Sequence, residues 1–537
     1  MAAFQVLPYT IDSLVQCFTN GSQFTSQDAV RAKTHRVYFE EYFRELGAAT
    51  IVVECNYVDR DYLEDYAAYY DRCFRDYPRR TQRLHFFREA FDEAAFRSVL
   101  DGTAQPQQLT EARLRGSYLG FVVVKPLPAT IVGRTCLVAY PSDNGRRNFP
   151  ILRTYAVHLF GLVLEVESLA YQEQDAVVAA CATSALWSCF QGTGKLFQHM
   201  IPPPVEITSW AGDHMPENLL AASARAFPNN GLTATQMAYA VRRVGLEPSV
   251  VGTQTRYGLN SVAYAYLQGR LPLLLACQFF GQLTDAQPSL IGGHAIALTG
   301  FSLGDPVATP HGPTGFLLRA SRIDKLYGHD DQVGPFARMT WEQAPPLANF
   351  APSHPMAQAG GNFLRTSWGA DIGTLADFVL LPLYHKIRIP YDLIHAAILN
   401  LDAIVEPMRQ PVFPALPRAE WDIYLTTGSE YKESVRAEYP AMGVDQFPSL
   451  LAELPRFVWR ALARVNDRVQ LDFLFDATGI TQHDLLLHVV STGAEYAQMI
   501  GALAPRVVAN KATVSPQVVS IFERFLVSPI TVQQAGP

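Results

Sequence analysis

Two apolar runs close together in the sequence constrain the fold most. LPLLLACQFF (271–280) and HAIALTGFS (294–302) carry almost no polar alternation. Strands built from such runs must be covered on both faces. The segments upstream supply helices that could cover them. AACATSALWSCF (179–190) is rich in small residues, and GLTATQMAYAVRRVGLEP (231–248) has a Thr cap at its start and Gly245 at its end. SVAYAYLQGR (261–270) reads as a third helix, while VHLFGLVLEV (157–166) and GFLLRASRIDKLYG (315–328) read as further strands. Helices first and a sheet after is an α+β layout.

At 537 residues the chain is too long for one core. A hydrophobic share of 49% against 17% charged predicts well-buried domains and excludes a disordered chain. The turn cluster PSDNGRRNFP (141–150) reads as a boundary. The expected division is a mixed α/β domain over 1–145, an α+β domain over 150–343 and a second mixed α/β domain over 345–537. In the first, VRAKTHRVYFEEYFREL (30–46) and RDYLEDYAAYYDRCF (60–74) read as helices, and ATIVVECNYV (49–58) and GSYLGFVVVKPL (116–127) as strands. The tyrosine-rich stretch 58–87 fits a helix packed on its own domain better than a protein interface. In the last, 378–389 and 421–428 read as strands and 390–405 and 515–527 as helices, with no motif that carries chemistry.

The net charge of −7, without a basic block, gives no reason to expect nucleic-acid binding. The seven cysteines form no CxxC pair, which argues against a zinc knuckle or a disulfide framework and favours a reducing cytosol. The N-terminus has no signal-peptide pattern, and no apolar run approaches a membrane span. The expected location is cytoplasmic.

The chemistry starts at GGHAIALTGF (292–301), where His294 stands behind two glycines at the head of a buried strand. Cys181 opens the helix of small residues, and a helix N-terminus favours a thiolate. A cysteine and a histidine meeting across a cleft would form the nucleophile of acyl transfer. A carboxylate that orients the imidazole is expected from Asp330 or Asp331, directly after the strand-like KLYG. Gln174 and the backbone N–H of Cys181 could bind an oxyanion. Cys189 and Cys277 read as core, Trp187 as packing and His329 as a surface residue. QGTGKLF (191–197) lacks the first glycine and the Ser or Thr of a phosphate loop, and neither GxSxG nor HExxH occurs.

The order of glutamine, cysteine at a helix start, "GGHA" opening a strand, and aspartate after a strand resembles the papain-like cysteine peptidases. It is most similar to the bacterial branch that includes the peptidase domains of bacteriocin-exporting transporters. The helix at 231–248 resembles the one between the Cys and His motifs of that branch. The resemblance covers about 160–340. It implies Cys181 as nucleophile, His294 as base, Gln174 as oxyanion glutamine and Asp330 as the third member, with Asp331 as the alternative. Three positions depart from the family: Gln174 lies seven residues before the cysteine instead of six, Asp331 replaces a proline, and Ala182 stands where glycine is frequent. The implied fold is a helix bearing the cysteine packed on an antiparallel sheet bearing His and Asp. The implied activity is hydrolysis of a peptide or isopeptide bond in a protein or peptide substrate, with no cofactor and no metal. Amidases, deamidases and acyl transferases share this machinery, and an inactive or gated scaffold that binds proteins is the non-enzymatic alternative. The flanking domains are candidate contacts for a regulatory protein partner.

Overall fold

The two apolar runs become neighbouring strands: Leu273–Gly281 pairs antiparallel with Ser289–Leu303, with Cys277 opposite His294. A computed structural model of the chain describes residues 3–175, 177, 178, 180–214, 231–281, 289–343, 355–360, 362–366, 372–480 and 485–527. From the second apolar strand the hydrogen-bonded path runs to Ile323–Asp330, Gly334–Gln343, Asn362–Arg365 and Gly373–Leu383. The last of these pairs back with Leu273–Gly281, so the path closes into a ring. Closure leaves these apolar strands without a free edge. Glu247–Gly252 adds to the outer part of Gly373–Leu383.

The described chain divides into two compact units, each discontinuous in sequence. One comprises Met1–Arg256, Leu271–Ser302 and Lys325–Leu383, and the other Tyr257–Arg270, Leu303–Asp324 and Tyr384–Pro537. These units cut the chain differently from the expected boundaries. The turn at 141–150 is a real turn, with Asp143, Asn144 and Gly145 all at positive φ, but it lies within the first unit. Two strands of the ring, Asn362–Arg365 and Gly373–Leu383, come from beyond residue 345. An apolar run states that a strand is buried and does not state which sheet it joins.

In the first unit, Phe4–Pro8, Thr50–Tyr57, Thr81–Phe87, Tyr118–Val124 and Val132–Leu137 form an antiparallel sheet in chain order. Its strands bury both faces by alternation. Ile51, Leu84, Phe86 and Val122 pack with Leu14 and Phe18 of the helix Ile11–Ser22 and Phe39 and Phe43 of the helix Thr34–Leu46. Val52, Phe121 and Val123 belong to a second core with Leu186, Trp187 and Phe190 of the helix Cys181–Phe197 and Leu274, Ala295 and Ala297 of the ring. A shared core explains why no domain boundary falls near 145.

The run at 157–166, expected to be one strand, is a hairpin of Arg153–Leu159 and Leu162–Ser168. Phe160 and Gly161 both take positive φ, the geometry of a two-residue turn. The expected strand at 315–328 also breaks: a 3-10 turn at Arg319–Arg322 precedes Ile323–Asp330.

The second unit holds a four-stranded antiparallel sheet, Glu420–Thr427, Phe457–Val465, Arg468–Asp476 and Leu486–Ser491, in that order. Helices Tyr391–Val412, Ala494–Ala509 and Pro516–Val527 accompany it. Its buried Arg460 is paired with Asp472 at 2.8 Å. Helices and antiparallel sheets together make the chain α+β. Among the described residues no helix is long and apolar enough to cross a membrane.

Candidate active site

Cys181 is the first residue of the helix Cys181–Phe197 and is half-buried, whereas Ala182 to Thr193 are all buried. Small side chains let this helix sit close to its neighbours. A Cβ at Gly192 would come within 2.8 Å of Pro272, at the entrance to the first apolar strand. Thr183 shares a hydrogen bond with Thr208 (2.9 Å), and Ser188 donates to the Ala170 carbonyl (3.0 Å). The approach to Cys181 is held by the tyrosine-rich stretch: Tyr70 donates to the buried Asp175, and Tyr62, Tyr66 and Tyr70 pack with Val178. The helix start presents backbone N–H groups that have no partner within the helix.

His294 is buried, and its Nε2–H donates to Asp330 Oδ1 over 3.0 Å. Asp330 ends its strand in a tight turn, where its carbonyl accepts from Val333 N–H (2.9 Å) and its Oδ1 also accepts from Gln332 N–H (3.1 Å). Asp331 Oδ1 lies 3.5 Å from His294 Nε2, and neither of its carboxylate oxygens accepts a hydrogen bond from the described residues. The Asp331 carbonyl is held instead, by His35 Nε2 at 3.0 Å and Tyr171 Oη at 3.1 Å.

Burial by itself would push the His294 imidazole down. The charge and hydrogen bond of Asp330, the hydrogen bond with Cys181 and the charge of Asp331 outweigh it and hold the ring well above the ordinary histidine range. Burial pushes the Asp331 carboxyl up to about 7, against the attraction of His294 and with the repulsion of Asp330. Burial also pushes the Cys277 thiol up to about 12.

Cys181 and His294 open onto a cleft of about 540 Å³, lined also by Gly292, Gly293, Gln278 and Asp377. A Cβ at Gly292 would meet no atom within 4 Å. Packing does not demand glycine there, and its smallness leaves room in the cleft.

Of the residues singled out in the sequence, Cys181, His294 and Asp330 are brought together, and Asp331 stands beside them without a hydrogen bond to the ring. Gln174 is half-buried and does not line the cleft; the position six before the cysteine is Asp175, tied to Tyr70. The glutamines that do line the cleft are Gln236 and Gln278, and Gln236 is engaged in the capping box of its own helix. His329, expected at the surface, is buried: its Nε2–H donates to the Leu169 carbonyl (2.9 Å), and its Nδ1 accepts from Phe336 N–H (3.1 Å). Burial pushes it down to about 3, so it is a neutral structural ring. Cys189, Cys277 and Trp187 are buried. Sequence reasoning passed over His35, Gln278 and Asp377, which carry no motif.

One ligand atom each from His294, Asp330 and Asp331 lies within 4.8 Å of the others, a spacing that could hold a cation. The ring nitrogen facing the two carboxylates is the one already bonded to Asp330. In comparisons with known proteins, no family model, no curated protein and no solved structure matches this chain.

Proposed function

We propose that this protein is a papain-like cysteine hydrolase that cleaves a peptide or isopeptide bond. One observation carries the reading: a half-buried cysteine heads a helix and lines the same cleft as a histidine whose Nε2 is bonded to a buried aspartate. Nucleophile, base and orienting group stand in the order that thiol acyl transfer needs. A helix bearing the cysteine beside an antiparallel ring bearing the histidine also favours the papain-like arrangement.

In the proposed reaction His294 takes the Cys181 proton, and Sγ attacks the carbonyl carbon. The N–H of Cys181 at the helix start donates to the oxyanion. The C–N bond breaks, His294 returns the proton to the leaving amine, and a thioester remains on Cys181. Water, deprotonated by His294, then attacks the thioester, and the acid and the free thiol are released. Asp330 keeps the ring oriented throughout. With an amine in place of water, the same steps make an acyl transferase. The test is hydrolysis of a mixed fluorogenic peptide library by the full chain and by Cys181→Ser. Turnover lost in the variant supports the reading; equal turnover by both overturns it.

A further inference from the structure

Asp377 is the charged side chain that the cleft contains besides His294, and no lysine or arginine lines it among the described residues. Its position follows from an irregularity in the ring. Between Leu273–Gly281 and Gly373–Leu383 the register shifts: Ala276 faces Phe378 and Cys277 faces Ala376, which leaves Asp377 as the extra residue of a bulge. Bulges beside active sites re-aim a side chain. The bulged backbone is fixed, because the Asp377 carbonyl accepts from Thr253 N–H at 3.0 Å. Asp377 is half-buried, and the described hydrogen bond of its carboxylate is a long one, 3.5 Å from Gln278 Nε2. Asp377 and Gln278 also line a second, smaller cavity of about 90 Å³ with Gln254, Pro355 and Leu375. The pair therefore stands where the main cleft meets a side pocket. Among the described residues this carboxylate has one weak amide neighbour and no cation, which makes it an unfilled counter-charge for whatever enters.

On the hydrolase reading above, we propose that Asp377 determines specificity by selecting substrates with a lysine or arginine side chain that reaches the junction of cleft and side pocket. The stem would run along the largely apolar cleft, and the cationic head would meet the Asp377 carboxylate, with the Gln278 amide free to turn its oxygen to the same head. An acidic side chain in that position would meet a like charge in a partly desolvated site. Asp377 acts on binding and leaves the thiol chemistry to Cys181 and His294.

The test uses the full chain and acyloxymethyl ketone probes matched except for Lys, norleucine or Glu, placed in turn at the first, second and third residue from the electrophile. The readout is the rate of covalent labelling of Cys181 by peptide mass spectrometry, taken as the Lys-to-Glu ratio within each variant. At one probe position the ratio is expected to be about tenfold or more in the natural chain, to fall to about threefold or less in Asp377→Asn and to invert in Asp377→Lys. If the charge-reversed variant does not fold, the nearly isosteric Asp377→Asn still decides. A ratio near unity at every position, or one unchanged in Asp377→Asn, overturns the proposal. Iodoacetamide labelling of Cys181 with no charge preference among the probes overturns this proposal alone. Failure of every electrophile to label Cys181 overturns the hydrolase reading and this proposal with it.

Discussion

His294 Nε2 and Asp330 Oδ1 are 3.0 Å apart, with both side chains buried, while Asp331, the next residue, reaches the same nitrogen only at 3.5 Å. Two carboxylates therefore flank one imidazole, and one of them holds it by a hydrogen bond. That difference separates their roles. Asp330→Ala is expected to slow alkylation of Cys181 at about pH 6 by roughly tenfold or more, because the largest of the groups that keep the ring protonated is gone. Asp331→Asn is expected to slow it by no more than about threefold. Rates measured by mass spectrometry of native protein decide, and equal losses in the two variants would contradict the assignment.

Asp331 has a separate consequence for stability. Its carboxyl is pushed up to about 7 by burial, whereas an aspartate in an unfolded chain titrates near 3.9. Between those values the folded chain holds the extra proton, so this group's contribution to stability falls as pH rises from about 4 to about 7, by up to ~1.4 kcal/mol per pH unit. Asparagine cannot titrate. The loss of Tm between about pH 5 and about pH 7.5 is expected to be smaller in Asp331→Asn than in the natural chain. Parallel melting curves would show that Asp331 does not titrate in this window.

Gly292 and Gly328 separate function from packing. A Cβ at 292 meets nothing within 4 Å, whereas one at 328 would lie 2.5 Å from Ile296 Cγ2. Gly292→Val is expected to melt within about 2 °C of the natural chain, because valine suits a strand. It should block peptide-sized electrophiles while iodoacetamide still reaches Cys181. Gly328→Val is expected to destabilise by about 1–3 kcal/mol through overpacking. Circular-dichroism melts and labelling with both reagents check the pair. A Gly292→Val chain that accepts peptide probes at the natural rate would show that substrate does not pass this point.

His35 reaches the site from the N-terminal part of the chain. It and Tyr171 both donate to the Asp331 carbonyl, and burial keeps the His35 ring pushed below the ordinary range. His35→Ala removes one donor and opens a cavity, which is expected to cost about 2–4 kcal/mol in denaturant unfolding. The carbonyl it holds belongs to the turn that carries Asp330, so Cys181 alkylation at about pH 6 is expected to slow as well, by roughly threefold or more. A stability loss without any change in alkylation would restrict His35 to packing.

The sequence was most legible where one residue type does one job. The apolar runs at 271–280 and 294–302 form strands, and the small-residue segment forms the helix headed by Cys181. Within the expected helix at 231–248 the structure forms a shorter one, Ala234–Arg243, with the Thr233 cap and the Gly245 stop at positive φ that the letters show, and Glu247–Gly252 is already a strand. What could not be read depended on partners distant in sequence. His329 looks like a surface residue beside two aspartates, and only the fold supplies the Leu169 carbonyl and the Phe336 N–H that let it be buried. Gln174 is the glutamine shortly before the cysteine, yet the position six residues before is Asp175, and its side chain is tied to Tyr70. Asp377 lies in an apolar strand without a motif, and its place in the cleft comes from a register shift that no spacing encodes. Strand pairing across residue 345, which closes the ring, is likewise not encoded in any local run.

Alkylation of the native chain by iodoacetamide at about pH 6, with every labelled cysteine mapped, tests the cysteine–histidine pair itself, because an ordinary thiol is largely protonated and slow there. Cys181 is expected to react well ahead of Cys189 and Cys277, both buried, and that advantage is expected to vanish in a folded His294→Ala variant. If Cys181 reacts no faster than those two, or keeps its rate without His294, the cysteine–histidine pair does not work as a catalytic unit and the hydrolase reading fails.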